Sequence, residues 1–236
     1  LLAGINAGRL AGGQPAVWLD RTESYLGVMV DDLTTQGVAE PYRMFTSRAE
    51  FRLSLRADNA DLRLTEKAIG WGCVAAPRAV AFHSYQAALK QAMERARRED
   101  CPAAAMERLG VVPAADGRRR SVLDLAGNES ARWSLLCEVF PWLGALPARL
   151  AEQLRTDARY AGYLHRQQAE VRLSRREDSV DLASVAFDEV GGLSTEMREK
   201  LNHARPDSLG AAARIQGITP AALASIAAFV RKRAAA

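Results

Sequence analysis

Five arginines, Arg43, Arg48, Arg52, Arg56 and Arg63, fall within one unbroken run from Glu40 to Thr65, EPYRMFTSRAEFRLSLRADNADLRLT. The chemistry they offer is anion recognition, because a guanidinium is planar, keeps its charge and can bond two oxygens of a carboxylate or phosphate at once. A helix capped by Ser47, with Glu50 reaching back to complete a capping box, would stack Arg48, Arg52 and Arg56 along one face, since they recur every fourth residue. Phe51 and Leu55 then form a neighbouring apolar stripe that docks on a core. Like charges in file repel, so the row needs compensation. The local carboxylates Glu40, Glu50, Asp58 and Asp61 could supply it, and so could the phosphates of a ligand; the residues alone leave both readings open. The turn-forming run Asp58-Asn59-Ala60-Asp61 is expected to bend the chain and bring Arg63 round beside the row.

Other reactive side chains point to less. Asp31 and Asp32 are a carboxylate pair suited to acid–base or magnesium chemistry, but they serve equally well as helix-end charges balancing nearby arginines, the reading we favour. Cys73, Cys101 and Cys137 are odd in number, widely spaced and without a C-x-x-C pair, and they read as reduced core thiols. His83, His165 and His203 are isolated, so the spacing offers no zinc site. No nucleophile–base pair stands out, which argues against an independent enzyme. The net charge of +4 and the pI near 9.2 are modest. Clustering of the arginines matters more than their sum, and Arg118-Arg119-Arg120 and Arg231-Lys232-Arg233 add two smaller basic groups. The loop from Ala114 to Arg120 is expected to be exposed, and solvation explains its charge as well as RNA contact does.

The elements that position these groups read as helices. Leu2, Ile5 and Leu10 alternate with small residues until Gly12-Gly13, and the chain opens in mid-pattern, as if inside a domain. Arg21 to Leu33 fits a helix or a buried strand. A short helix is expected from Thr65 to Gly70 and a longer one from Pro77 to about Arg98, burying Phe82, Tyr85, Leu89, Met93 and Ala96. Ser121 and Asn128 look like caps of two further helices. The longest pattern runs from Pro147 to about Asp178, with Ala161-Gly162 suggesting close approach of another backbone. Two similar phrases, Gly192-Leu193-Ser194 and Gly217-Ile218-Thr219, each close one helix, plug a core and cap the next, with Pro220 at a first turn. Turns of this kind suit helix-hairpin-helix contacts with phosphate and ordinary helix packing alike. With 48% apolar residues the chain can bury a real core, and no apolar run approaches the roughly 20 residues that span a bilayer, so it reads as neither membrane-bound nor secreted.

The arginine run, extended by Glu66, closely resembles the signature of the GidA/MnmG family, the FAD-containing subunit of the enzyme that modifies the wobble uridine of certain tRNAs. LLAGINAGR, RTESYLGVMVDDL, YAGYLHRQQ, GLSTEMREKL and RPDSLGAAARIQGITPAAL continue the resemblance through the chain, in order, and what they match is the C-terminal part of such a protein. The resemblance implies a mainly α fold: a helical bundle followed by a small C-terminal helical unit, with an N-terminal remnant of a flavin-binding α/β domain. The corresponding divisions are 1–64, 65–178 and 179–236.

It further implies a cytoplasmic, homodimeric parent protein that uses FAD and NADH. With a folate one-carbon donor and the GTPase MnmE, that protein installs a (carboxymethyl)aminomethyl group at carbon 5 of the wobble uridine. No G-x-G-x-x-G loop occurs here, so this piece is expected to hold no cofactor or catalytic residue and to be inactive alone. Its tasks would be to hold tRNA, through Arg43, Arg48, Arg52, Arg56, Arg63 and Lys67, and to dock the GTPase, through Gly192, Leu193, Arg198, Arg205, Arg214 and Gly217. The alternative is an interaction module that binds only the GTPase, with the arginines bracing the flavin domain.

Overall fold

Three- and four-residue spacing of apolar side chains decides the architecture. The computed structural model describes residues 1–35, 37, 40–111 and 119–234, and among these every regular element is helical. Two isolated bridges, Asp100 with Ser121 and Asp181 with Ser208, are the β-type pairings among them. In chain order the helices are α1 (Leu2–Ala11), α2 (Tyr25–Thr35), α3 (Ala60–Gly70), α4 (Ala76–Arg98), α5 (Ala103–Arg108) and α6 (Val122–Ala126). They continue with α7 (Trp133–Val139), α8 (Pro141–Gly144), α9 (Ala148–Asp178), α10 (Thr195–Ala204), α11 (Leu209–Arg214) and α12 (Pro220–Ala234). Single 3-10 turns occupy Thr46–Arg48 and Phe187–Glu189. The expected mainly α fold is observed. Residues 1–64 contribute helices and loops, with no strand among those described.

Contacts divide the chain into two units, Arg56–His165, and Leu1–Leu55 together with Arg166–Ala236. These limits depart from the divisions expected at 64 and 178, because the N-terminal segment shares its unit with the C-terminal one. Helix α9 belongs to the first of these units up to His165 and to the second from Arg166 onward.

The Arg56–His165 unit is built on α4, which buries Phe82, Leu89, Ala92 and Ala96 at helical spacing. Its core joins Ala96 to Leu125, Leu136, Leu143 and Leu154. Ser121 caps α6 as expected: its hydroxyl accepts from the Asp124 N–H while the Asp124 carboxylate accepts from the Ser121 N–H, a complete capping box. Other expectations here are corrected. Asn128 caps no helix; its side chain accepts from the Ser130 N–H at 2.9 Å in a local turn, and α7 starts at Trp133. Helix α3 begins at Ala60 rather than Thr65, so the Asp58-Asn59 turn runs straight into it. Cys101 is buried and Cys137 half-buried, but Cys73 is exposed and no core thiol. Close backbone approach belongs to Gly127, where an added Cβ would lie 2.5 Å from the Ala158 carbonyl oxygen, whereas Gly162 faces open space.

The other unit holds two apolar clusters. One joins Val28 of α2 to Ala49, Phe51 and Leu55, with Val171 of α9 packed against it. The second gathers Leu182, Phe187, Val190, Leu193, Leu201 and Ile226 around α10 to α12. The stretch expected as helix or buried strand resolves as a turn over residues 21–23 followed by helix α2 from Tyr25, and α2 packs against α11. The two similar phrases act as expected. Gly192 and Gly217 have φ of 83° and 93°, which glycine adopts without strain, and Ser194 and Thr219 accept from the N–H groups of Met197 and Ala222.

Candidate nucleic-acid interface

The arginine signature is not a helix, and this corrects the reading built on its four-residue spacing. Thr46–Arg48 form one 3-10 turn, Ala49 is extended, and a single turn follows in which the N–H groups of Ser54 and Leu55 donate to the Phe51 carbonyl. Ser47 lies inside the 3-10 turn and caps nothing. The physical reason is competition for Glu50. Its carboxylate accepts two hydrogen bonds from Arg21, Nη2 to Oε1 at 2.7 Å and Nε to Oε2 at 3.2 Å, and is not turned back to cap. Ala49, Phe51 and Leu55 all turn to the core, so the expected docking of Phe51 and Leu55 is kept although the helix is not.

Arg21 is the residue that sequence reasoning missed. Its side chain is only 5% exposed, and besides Glu50 it pairs with Asp31 and, at 3.2 Å, with Asp32. Burial alone would lower its pKa, but Glu50 and Asp31 outweigh that and raise it. Asp32 also accepts from the Tyr42 hydroxyl at 2.9 Å and lies 3.6 Å from an Arg48 nitrogen. Burial and this carboxylate push the Tyr42 phenol pKa up. Asp31 in turn meets Arg214 at 2.7 Å, and Arg214 meets Asp178 at 3.0 Å. The favoured reading of Asp31 and Asp32, charges that balance arginines, holds, but the partners come from distant parts of the sequence. An arginine with acids ten and eleven residues further on was the only available signal, and it is not a local one.

The five arginines therefore do not form one helical row. Arg43, Arg48 and Arg52 are exposed. Arg48 lies with its guanidinium 4.6 Å from the centre of the Tyr42 ring and donates through Nε to the Arg43 carbonyl at 2.9 Å. The Arg43 guanidinium sits 5.0 Å from the centre of the Phe45 ring. Arg52 has no ion-pair partner among the described residues. In the Arg56–His165 unit, Arg56 is 8% exposed, bonds Asp58 at 3.0 Å and Asp157 at 2.6 Å, and covers the Tyr160 ring at 4.5 Å. Arg63 donates to Asn59 at 2.8 Å and to the Arg56 carbonyl at 3.1 Å. Lys67 is half-buried in α3. The first three can receive an outside anion directly; Arg56 and Arg63 are engaged within their own unit.

The expected docking residues are also dispersed in role. Leu193 is buried as a core plug, and Arg214 is committed to Asp31 and Asp178. Arg198 lies 3.8 Å from Asp188. Arg205 is exposed and ends α10 at φ 45°, a left-handed conformation that non-glycine residues rarely adopt. An added Cβ at Gly217 would meet the Lys200 ammonium at 2.6 Å, and that group also donates to the Gln216 carbonyl. Residues 112–118, with Arg118, lie outside the described residues; Arg119 is exposed, 3.7 Å from Asp100.

No cluster of three or more His, Cys, Asp or Glu suited to a metal occurs among the described residues, and no helix there is long and apolar enough to cross a membrane. A dinucleotide phosphate cradle of the Rossmann type is built on a strand–loop–helix, and the described residues include no strand.

The helical segments that follow the arginine-rich loop in the chain coincide with two profiles of one class of tRNA-modifying enzyme. Residues 77–168 match the family profile described as the tRNA modifying enzyme MnmG/GidA C-terminal helical domain, and residues 170–236 match that of its C-terminal helical bundle. The chain belongs to the MnmG/GidA family, as the C-terminal part of it. It is 47% identical over 234 residues to the tRNA uridine 5-carboxymethylaminomethyl modification enzyme MnmG of Granulibacter bethesdensis, covering 99% of this chain and 37% of that protein. The enzyme of the same name from Syntrophobacter fumaroxidans is 41% identical over 240 residues, with the same coverage. Among solved structures, GidA of Aquifex aeolicus in its form II crystal superposes with a TM-score of 0.80 at 32% identity, covering 97% of this chain and 36% of that one. The chain thus spans little more than a third of the length of the curated relatives it matches.

Proposed function

We propose that this chain is the tRNA- and partner-binding region of an enzyme that adds a (carboxymethyl)aminomethyl group to carbon 5 of the wobble uridine of tRNA. In this reading FAD, NADH and the redox step belong to other parts of a cytoplasmic, homodimeric enzyme, and the residues here hold the substrate. Arg43, Arg48 and Arg52 contact phosphates, Lys67 adds a weaker contact, and Arg56 and Arg63 are held by partners of their own unit. The observation that carries the reading is the state of the loop from Tyr42 to Arg52. It presents three exposed guanidinium groups while a buried arginine, Arg21, holds Glu50 and Asp32 beneath it. The names of the relatives, which specify a tRNA uridine, supply the class of polyanion.

Filter-retention binding of unmodified tRNA over a salt series tests it. Three phosphate contacts give a slope of log affinity against log salt of roughly −2 to −3. Replacing Arg43 and Arg52 together by Gln should flatten that slope by roughly 1 to 2. A flat wild-type response rejects the reading.

A second reading, docking of the GTPase MnmE without RNA contact, draws on the C-terminal unit, where Arg205 stands exposed in a left-handed conformation at the end of α10. Arg198, Gly192 and Gly217 would shape that surface, with Leu193 and Arg214 holding it from inside. The same double arginine variant separates the two, since partner capture is retained in both readings and tRNA binding changes only in the first.

A further inference from the structure

We infer that Phe45, with the Arg43 guanidinium beside it, is a stacking platform for an unpaired nucleobase of the tRNA, and this deepens the tRNA reading and rests on it. The loop carries three side chains with large apolar rings, and they are treated differently. Phe51 is 7% exposed and belongs to the cluster around Val28. Tyr42 is half-buried, with the Arg48 guanidinium 4.6 Å from its ring centre and its hydroxyl tied to Asp32. Phe45 has neither core nor hydroxyl anchor: it is 49% exposed and belongs to none of the apolar clusters.

An apolar ring held open between Arg43 and the Arg48 turn has a chemistry of its own. The phenyl ring offers a π face without donor or acceptor, so it accepts any base and reads no base edge. The guanidinium 5.0 Å from its centre stands ready for the phosphate attached to that base, and can itself stack on the base plane. Together they select for a nucleotide that is out of a helix, because paired bases hide their faces in the stack. A uridine that must be reached at its carbon 5 has to be presented in such an unstacked form, and a neighbouring loop base lodged on Phe45 would hold it so. Tyr42 is unsuited to the same task, being half-buried and held in place by its hydroxyl bond to Asp32.

The test uses unmodified anticodon stem–loop RNA carrying 2-aminopurine at successive loop positions, with a fully paired RNA duplex as comparison. Wild-type protein should quench the fluorophore at one loop position on binding. Phe45→Ala should lose that quench and weaken stem–loop binding by roughly 5- to 150-fold, leaving duplex binding and the salt slope unchanged. Phe45→Trp should retain both signals, whereas Phe45→Leu, which keeps apolar bulk without a π face, should behave as Phe45→Ala. Wild-type affinity and quench in Phe45→Ala, or rescue by Phe45→Leu, overturns the stacking site and assigns Phe45 to packing. Arg52→Gln separates this from failure of the tRNA reading itself: if it too leaves the salt slope untouched, the broader reading falls, and if only the Phe45 variants are silent, the stacking site falls alone.

Discussion

Arg21 and Glu50, 29 residues apart, meet through two hydrogen bonds, Nη2 to Oε1 at 2.7 Å and Nε to Oε2 at 3.2 Å. The fork geometry makes the contact directional as well as charged. On its other side Arg21 faces Asp31 and Asp32, so one buried cation neutralises carboxylates of α2 and of the arginine loop together. Removing a buried cation leaves its acids uncompensated, which costs far more than the pair contributes to stability when intact. Arg21→Gln is therefore expected to destabilise the protein by about 3–5 kcal/mol in urea unfolding. Glu50→Gln should cost clearly less, because the Glu50 side chain is half exposed and Asp31 and Asp32 still hold Arg21. Equal losses in the two variants would contradict this division.

Asp58 gives the fold a defined acid sensitivity. Burial works to raise its pKa, but the Arg56 guanidinium 3.0 Å away and the Gln153 amide outweigh burial and hold the carboxyl below its usual range. A carboxylate depressed in the folded state contributes stability that is present above its unfolded pKa, about 3.9, and that is lost as pH falls through the lower folded value. Asp58→Asn is expected to lower stability at neutral pH and to flatten the fall in stability below about pH 4. Chemical denaturation between neutral and acid pH measures both effects, and an unchanged acid slope would remove Asp58 from the account.

Local signals were legible in the sequence; non-local competition was not. Helices α4 and α9 follow from apolar spacing, and the caps Ser121, Ser194 and Thr219 follow from hydroxyls before apolar runs, because each depends on residues within a turn or two. The arginine row failed for the opposite reason. Arg48, Arg52 and Arg56 at every fourth residue satisfy a helical template, but Glu50 has a better partner in Arg21, and Ala49, Phe51 and Leu55 fill the cluster around Val28 in a turned conformation. Asn128 fits a helix cap and an Asx turn equally well by type, and the Ser130 N–H decides it. Of the candidate site, the exposed Arg43, Arg48 and Arg52 could be named from charge and resemblance; Arg21, which braces their loop, carries no local mark.

The thiols should report this packing directly. Cys73 is exposed, whereas burial pushes the Cys101 thiol pKa up, and burial does the same to Cys137 against the opposing charge of Arg155. A thiol-specific chromogenic reagent is expected to modify Cys73 rapidly in the native protein and Cys101 and Cys137 only on unfolding. Cys73→Ser should abolish the fast phase and leave the slow one, and a fast phase that survives the substitution would mean that the shielding assigned to the other two is wrong.

Gly127 and Gly162 respond to the same substitution with opposite signs. At Gly127 an added methyl group would lie 2.5 Å from the Ala158 carbonyl oxygen and 2.8 Å from its carbon, both backbone atoms of α9 that no rotamer change can move. Overpacking of this kind costs about 1–3 kcal/mol, and backbone on both sides puts Gly127→Ala at the upper end. Gly162 lies inside α9 with nothing within 4 Å of the place a methyl group would take, so alanine there relieves the entropy cost of a helical glycine and clashes with nothing. Gly162→Ala is expected to stabilise by about 0.5–1 kcal/mol. Thermal unfolding of the two variants side by side checks the pair: a stabilised Gly127→Ala would mean that α6 does not rest on α9, and a destabilised Gly162→Ala would mean that another backbone approaches Gly162 after all.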